Sequence, residues 1–148
     1  MKKLFFFLLF SSFAFGQLSK DSLQSIVKNY FEKQYVQQNF KDPYSYEFVN
    51  ITSIARTKKE VLNSEISIAK SMSEPPTPKK FRKEYENEMK IKLDILNSLS
   101  EDEKNKIDEY ICNFDAYGAN SYGNKVLGRY VIVISSDGKN IRNVFKRN

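Results

Sequence analysis

The chain has no histidine and a single cysteine among its 148 residues. Without histidine neither a Ser-His-Asp nor a Cys-His pair can be assembled, and every metal site that needs an imidazole is excluded. One cysteine, Cys112, cannot hold a structural zinc or an iron–sulfur cluster, nor close a disulfide within one molecule. The patterns GxxxxGK[ST] and GxGxxG and the EF-hand loop are also missing. Glycoside hydrolysis needs two carboxylates held across a cleft, and nothing in the spacing of Asp42, Asp115 and Asp137 pairs them. Glu101, Asp102 and Glu103 suit a helix start through the macrodipole better than a metal cluster. The sequence therefore predicts no catalytic residue, no metal and no cofactor, and the chain reads as a non-enzyme.

Long apolar runs are lacking too. The strongest, Leu4–Phe10, is too short to cross a bilayer as a helix. It follows Lys2 and Lys3 and precedes Ala14-Phe15-Gly16. That order of positive charge, apolar core and small residues predicts a secretory signal peptide over residues 1–16, cleaved before Gln17. No cysteine stands at the cleavage point, so a lipoprotein anchor is not expected. Loss of Lys2 and Lys3 takes the formal net charge from +6 to +4. The expected location is the periplasm, the outer membrane or the exterior. Residues 17–148 have the length of one domain, able to bury a core without staples.

What is present organises around Tyr110–Phe145. Asp137-Gly138 is a strong hairpin signal, because both residues tolerate the turn's backbone angles. The run before it, Val126–Ile134, is rich in valine and isoleucine. Val126, Gly128, Tyr130, Ile132 and Ile134 share one face; Leu127, Arg129, Val131 and Val133 share the other. Apolar residues on both faces predict a central strand covered at least partly on both sides, and Gly128 predicts a bulge or a close approach by another backbone. Ile141–Phe145 supplies the return strand. Upstream, Ile111–Tyr117 forms a strand ending in a turn with two glycines and two asparagines, Gly118–Asn124. Tyr117 and Tyr122 flank that turn. Either they pack on the sheet edge while the polar residues close the turn, or the turn contacts a ligand. On the second reading Tyr117, Asn120, Tyr122, Asn124 and Arg129 form the candidate binding surface. Cys112 is either a buried small hydrophobe or half of an intermolecular disulfide.

Ser19–Phe40 is the clearest helix, with Leu23, Ile26, Val27, Tyr30, Phe31 and Tyr35 on one stripe and Ser19 or Asp21 as its cap. Asp42-Pro43 ends it. Tyr44–Ile54 alternates like a strand and changes parity near Phe48-Val49, which predicts a bulge. Asp42-Pro43-Tyr44-Ser45-Tyr46-Glu47-Phe48, Cys112, Asn120-Ser121-Tyr122-Gly123 and Tyr130 together resemble a group of small uncharacterised bacterial envelope proteins. Those have a helix, a DP-x-S-x-x-F segment, a strand cysteine and an Asn/Gly-rich turn before a last hairpin. The resemblance covers about half of the chain after residue 16 and implies fold and compartment, with no activity to carry over.

Between these parts, Arg56–Met72 fits a helix by Val61, Leu62, Ile66 and Ala69, or a strand by Ile66 and Ile68. Three prolines within Glu74–Lys79 predict an exposed, extended linker. Lys79–Asn97 reads as a helix with Phe81, Tyr85, Met89, Leu93 and Leu96 on its stripe, and Ser100-x-x-Glu103 starts a short helix ending near Tyr110. Residues 74–110 could thus form a helical arm. Lys79, Lys80, Arg82 and Lys83, and separately Arg142, Lys146 and Arg147, are candidate polyanion contacts. Export removes nucleic acid as a partner, which leaves anionic envelope glycan or lipid headgroups. The expected fold is α+β: a long N-terminal helix on a mainly antiparallel sheet of about four strands, with inserted helices. The expected function is a secreted or periplasmic, non-catalytic interaction module with a protein partner or a homodimer. The alternative is an anionic-polymer or lipid-headgroup binder.

Overall fold

The computed structural model describes residues 17–147. The signal-peptide reading of residues 1–16 lies outside the described residues. Helix α1 (Lys20–Tyr30) starts at Ser19, whose hydroxyl accepts the Ser22 amide at 3.1 Å. Ser19 and not Asp21 is therefore the cap, and Asp21 sits in the first turn, where its charge complements the dipole. A π-helical turn (Phe31–Tyr35) carries the chain into α2 (Val36–Asn39). A 3₁₀ turn (Pro43–Ser45) follows, with the Asp42 carboxylate accepting the Tyr44 amide at 3.0 Å.

Four strands then form one antiparallel meander in the order β1 (Glu47–Thr57), β2 (Ile107–Ala119), β3 (Lys125–Ser135) and β4 (Ile141–Arg147). The fold is α+β. The register of β1 on β2 slips between Phe48 and Asn50, so Val49 is the extra residue of the expected bulge. β2 begins at Ile107, four residues before the Ile111 expected from sequence. Cross-strand partners share a face, and the register sorts the sheet cleanly. One face carries Ile51, Phe114 and Tyr130, then Cys112 and Ile132, then Tyr110 and Ile134, and all of these are buried. The N-terminal helix covers this face with Leu23, Val27, Phe31 and Val36. Each such buried side chain contributes about 1.5–3 kcal/mol. Phe31 sits at the centre, its ring 4.6 to 6.0 Å from those of Tyr35, Phe40, Tyr46, Phe114 and Tyr130. Cys112 is a free, buried thiol. Burial pushes its pKa up to about 11.

β3 is central, with β2 and β4 beside it, and its other face is covered only in part, with Val131 and Val133 half-buried. Between Ile111 and Tyr117 no residue of this face is buried, and Arg129 and Leu127 on β3 are exposed. Gly128 has a different role from the one expected. A Cβ there would lie 2.6 Å from the hydroxyl of Tyr130, so it is that phenol, and not another backbone, that occupies the space above the glycine.

The insertion between β1 and β2 is helical. Thr57 ends β1 and caps α3 (Lys58–Met72) with a reciprocal pair: Glu60 N–H to Thr57 Oγ1 at 3.3 Å and Thr57 N–H to Glu60 Oε2 at 2.7 Å. The helix–strand ambiguity of residues 56–72 thus resolves as two strand residues and then helix. Residues 73–78 are not an extended linker. They turn the chain back, and α4 (Lys79–Ser98) packs along α3. The Lys92 ammonium meets Glu65 of α3 at 2.8 Å. Of the expected α4 stripe, Phe81 and Leu93 are exposed and the rest half-buried, so α4 buries no residue fully. A short α5 (Glu101–Asn105), capped reciprocally by Ser100 and Glu103, leads into β2. At the base of this arm Arg56 bonds Glu109 at 3.2 Å and the Ser64 hydroxyl at 2.6 Å, and Lys58 reaches Asp108 at 3.1 Å.

Candidate functional site

A cleft of about 320 Å³ opens where the end of the N-terminal helix faces the turn between β2 and β3. Its walls come from Tyr35, Asn39, Phe40 and Lys41 on one side and from Gly118, Ala119, Asn120 and Ser121 on the other. Gly128 and Tyr130 of β3 and Lys146 of β4 complete it. Three features of the chain build it. The π-helical turn Phe31–Tyr35 ends on Tyr35, and single π turns often mark functional sites. Gly118 receives the ring of Phe40, which would lie 2.4 Å from any Cβ there. Gly128 does the same for Tyr130. The two glycines leave room for these aromatic rings to come close to the sheet, and both rings line the cleft.

The lining is rich in hydrogen-bond donors. Lys41 donates to the Ser121 hydroxyl at 2.9 Å and so bridges the two walls. Lys146 lies directly across the sheet from Tyr130. The rings of Tyr35 and Tyr130 meet edge to face, 5.5 Å apart. Burial, and then the neighbouring phenol, raises the pKa of each: Tyr30 acts on Tyr35, and Tyr35 on Tyr130. Both stay protonated at neutral pH and beyond, and so remain able to donate. No carboxylate lines the cleft. Such a set of ammonium, phenol and amide groups favours an anionic or acceptor-rich group with an apolar side to lie on the rings.

The residues expected from sequence to form one binding surface fall on three places. Asn120 lies on the cleft rim, but its side-chain oxygen is used to close the turn, accepting the amides of Tyr122 at 2.9 Å and Asn124 at 3.0 Å. Asn124 serves the same turn through its backbone, its carbonyl accepting the Asn120 amide. Tyr122 stands at the tip, 89% exposed, and packs on nothing. Tyr117 and Arg129 lie on the uncovered face of the sheet, where the Lys125 ammonium sits 4.5 Å over the Tyr117 ring and pairs with Glu47. The polar-closure half of the simpler reading therefore holds, and the packing half holds only for Tyr117, which is half-buried.

The second basic group is also divided. Arg142 is engaged by Asp108 at 2.7 Å and Glu109 at 3.1 Å, which takes it out of the set of free polyanion contacts. Burial raises the Asp108 pKa, but the bonds and charges of Arg142 and Lys58 outweigh it and hold the carboxyl below its ordinary value. Lys146 enters the cleft, while its neighbour Arg147 points to the opposite face, across from Arg129. Lys79, Lys80, Arg82 and Lys83 start α4 at the far end of the arm. Tyr35, Asn39, Lys41, Ser121 and Tyr130 were not singled out as site residues. The hints in sequence are two glycines: Gly128 inside a strand, and Gly118, which reads as the start of the turn and lies in β2.

Among the described residues no helix is long and apolar enough to cross a membrane, and no three His, Cys, Asp or Glu residues are grouped to hold a metal ion. No family model matches the chain, and neither the curated proteins nor the solved structures contain a significant match to it.

Proposed function

We propose that the chain is a non-catalytic binding module that acts outside the cytoplasm, and that it takes an anionic group in the cleft between the helix end and the 120–124 turn. The observation that carries this reading is the lining: Lys41 and Lys146 with the phenols of Tyr35 and Tyr130, and no acid among them. The leader-like residues 1–16 and the resemblance of the Asp42–Phe48 segment to envelope proteins support the compartment. An acidic envelope glycan, or the carboxylate of a protein partner, has the required chemistry. The test is a titration of isotope-labelled protein with galacturonate, triglutamate and inorganic phosphate, followed by amide chemical shifts. Saturable shifts at Lys41, Asn120, Ser121 and Gly128, abolished in Lys41→Gln/Lys146→Gln, are expected with at least one probe. Absence of saturable shifts there with all three sinks the reading.

A protein partner on the uncovered sheet face is the second reading. The register joins Ile54, Ile111 and Val133 in one row and puts Phe145 beside Val131 in the next. Ile54 is 60% and Phe145 50% exposed. Light scattering distinguishes a homodimer directly, and Ile54→Ser should return it to monomer.

A further inference from the structure

We infer that the tip of the α3–α4 arm is a contact surface for an anionic lipid bilayer. From Lys70 to Lys83 the chain carries Lys70, Lys79, Lys80, Arg82 and Lys83 against one acid, Glu74. This short stretch holds net +4 of the +6 formal charge of the whole chain. The four lysines are exposed. The ion pairs of the described residues involve none of them. Glu84, Glu86 and Glu88 follow within α4, Glu84 directly after Lys83, so the unbalanced charge is centred on the turn end of the arm, at Lys70, Lys79 and Lys80.

The same end of the arm is apolar as well as basic. Met72 is 38% and Phe81 43% exposed, and Pro75, Pro76 and Pro78 are exposed between them. Lys80 sits over the Phe81 ring, 4.6 Å from its centroid, so charge and ring are presented together. α3 spans about 22 Å at 1.5 Å per residue, more than twice the screening length of roughly 8 Å in physiological salt. The tip therefore acts as a separate charge from the sheet. An anionic bilayer favours both parts of this surface: its headgroups attract the lysines, and its interface accepts Met72, Phe81 and the prolines. A dissolved polyanion would use the charges alone. The inference is independent of the cleft.

The experiment is co-sedimentation of the chain from Gln17 onward with vesicles of phosphatidylcholine, alone or mixed with phosphatidylglycerol. Binding to the mixed vesicles only, weakening as salt is added, is expected. Lys79→Gln/Lys80→Gln/Lys83→Gln should reduce it roughly fivefold per lysine. Among the described residues none of the three forms an ion pair, and Lys80 rests only on the Phe81 ring; a melting curve verifies that the variant is folded. Lys41→Gln/Lys146→Gln, which disables the cleft, should leave vesicle binding unchanged. Equal binding by the tip variant, equal binding to both vesicle types, or capture by soluble polyglutamate without sedimentation would each overturn the inference.

Discussion

The sheet with its N-terminal helix and the α3–α4 arm are assembled by different physics. In the first, contacts join residues far apart in sequence: Phe31 meets Phe114 and Tyr130, and the Leu18 amide bonds the Tyr110 hydroxyl at 2.8 Å. In the arm most contacts are local, between α3 and the helix that follows it, and only the base of α3 meets β1 and β2. α3 buries Val61, Leu62 and Ala69, and α4 buries nothing fully. Helix starts differ in the same way. α3 and α5 have reciprocal caps, whereas α4 starts at Pro78 with no side-chain cap, no acid in its first turn and Lys79 and Lys80 there instead. Cations at a helix N-terminus oppose the macrodipole by about 0.3–1 kcal/mol each. The arm thus gives up stability at its tip, and the two regions should open at different free energies.

Three measurements would break or sharpen this contrast. Phe31→Ala should cost about 3–5 kcal/mol in urea unfolding, while Tyr85→Ala in α4 should cost less than half of that and leave sheet amides protected from exchange. Equal losses would mean that arm and sheet unfold as one unit. Alkali should attack the sheet side next. A thiol raised to about 11 from 9.0 keeps its proton in the folded state, so its contribution is complete below pH 9 and is lost as pH rises through 11. The raised phenols of Tyr35 and Tyr130 act in the same direction. A base-induced melt in which sheet signals fail while arm helicity persists is the expected outcome, and Cys112→Ala should shift its onset to higher pH. Smallest is Thr57→Ala, which removes the α3 cap at about 1 kcal/mol. It should speed exchange in α3 and α4 and spare β2 and β3.

The sequence disclosed what is local. Asp137-Gly138 carries its own turn chemistry, and Gly138 takes the expected positive φ of 72°. The bulge at Val49 showed as a change of parity. Residues 56–72 are ambiguous on Ile66 and Ile68 alone, but Thr57-x-x-Glu60 has the same capping spacing as Ser100-x-x-Glu103 and marks the start of a helix. The prolines at 75, 76 and 78 said that no regular element continues, and they could not say that the chain reverses. The cleft was illegible for a stronger reason. Its walls meet across separations such as that from Lys41 to Ser121, and whether Lys146 or Arg147 faces it depends on a register that alternation alone leaves free by one residue.

The arm leaves and re-enters the sheet at one point. Thr57 pairs with Ile107, and the Lys58 amide donates to the Lys106 carbonyl at 2.9 Å. Topologically, β1 and β2 are the two legs of a hairpin whose loop has been swollen into three helices and a turn. Closing that loop uses only the first turns of α3, through Lys58 and Ser64, so the length of the arm beyond them is a free dimension of the molecule. Adding or removing whole helical turns, in matched pairs on α3 and α4, would change how far the tip reaches while every strand kept its neighbours.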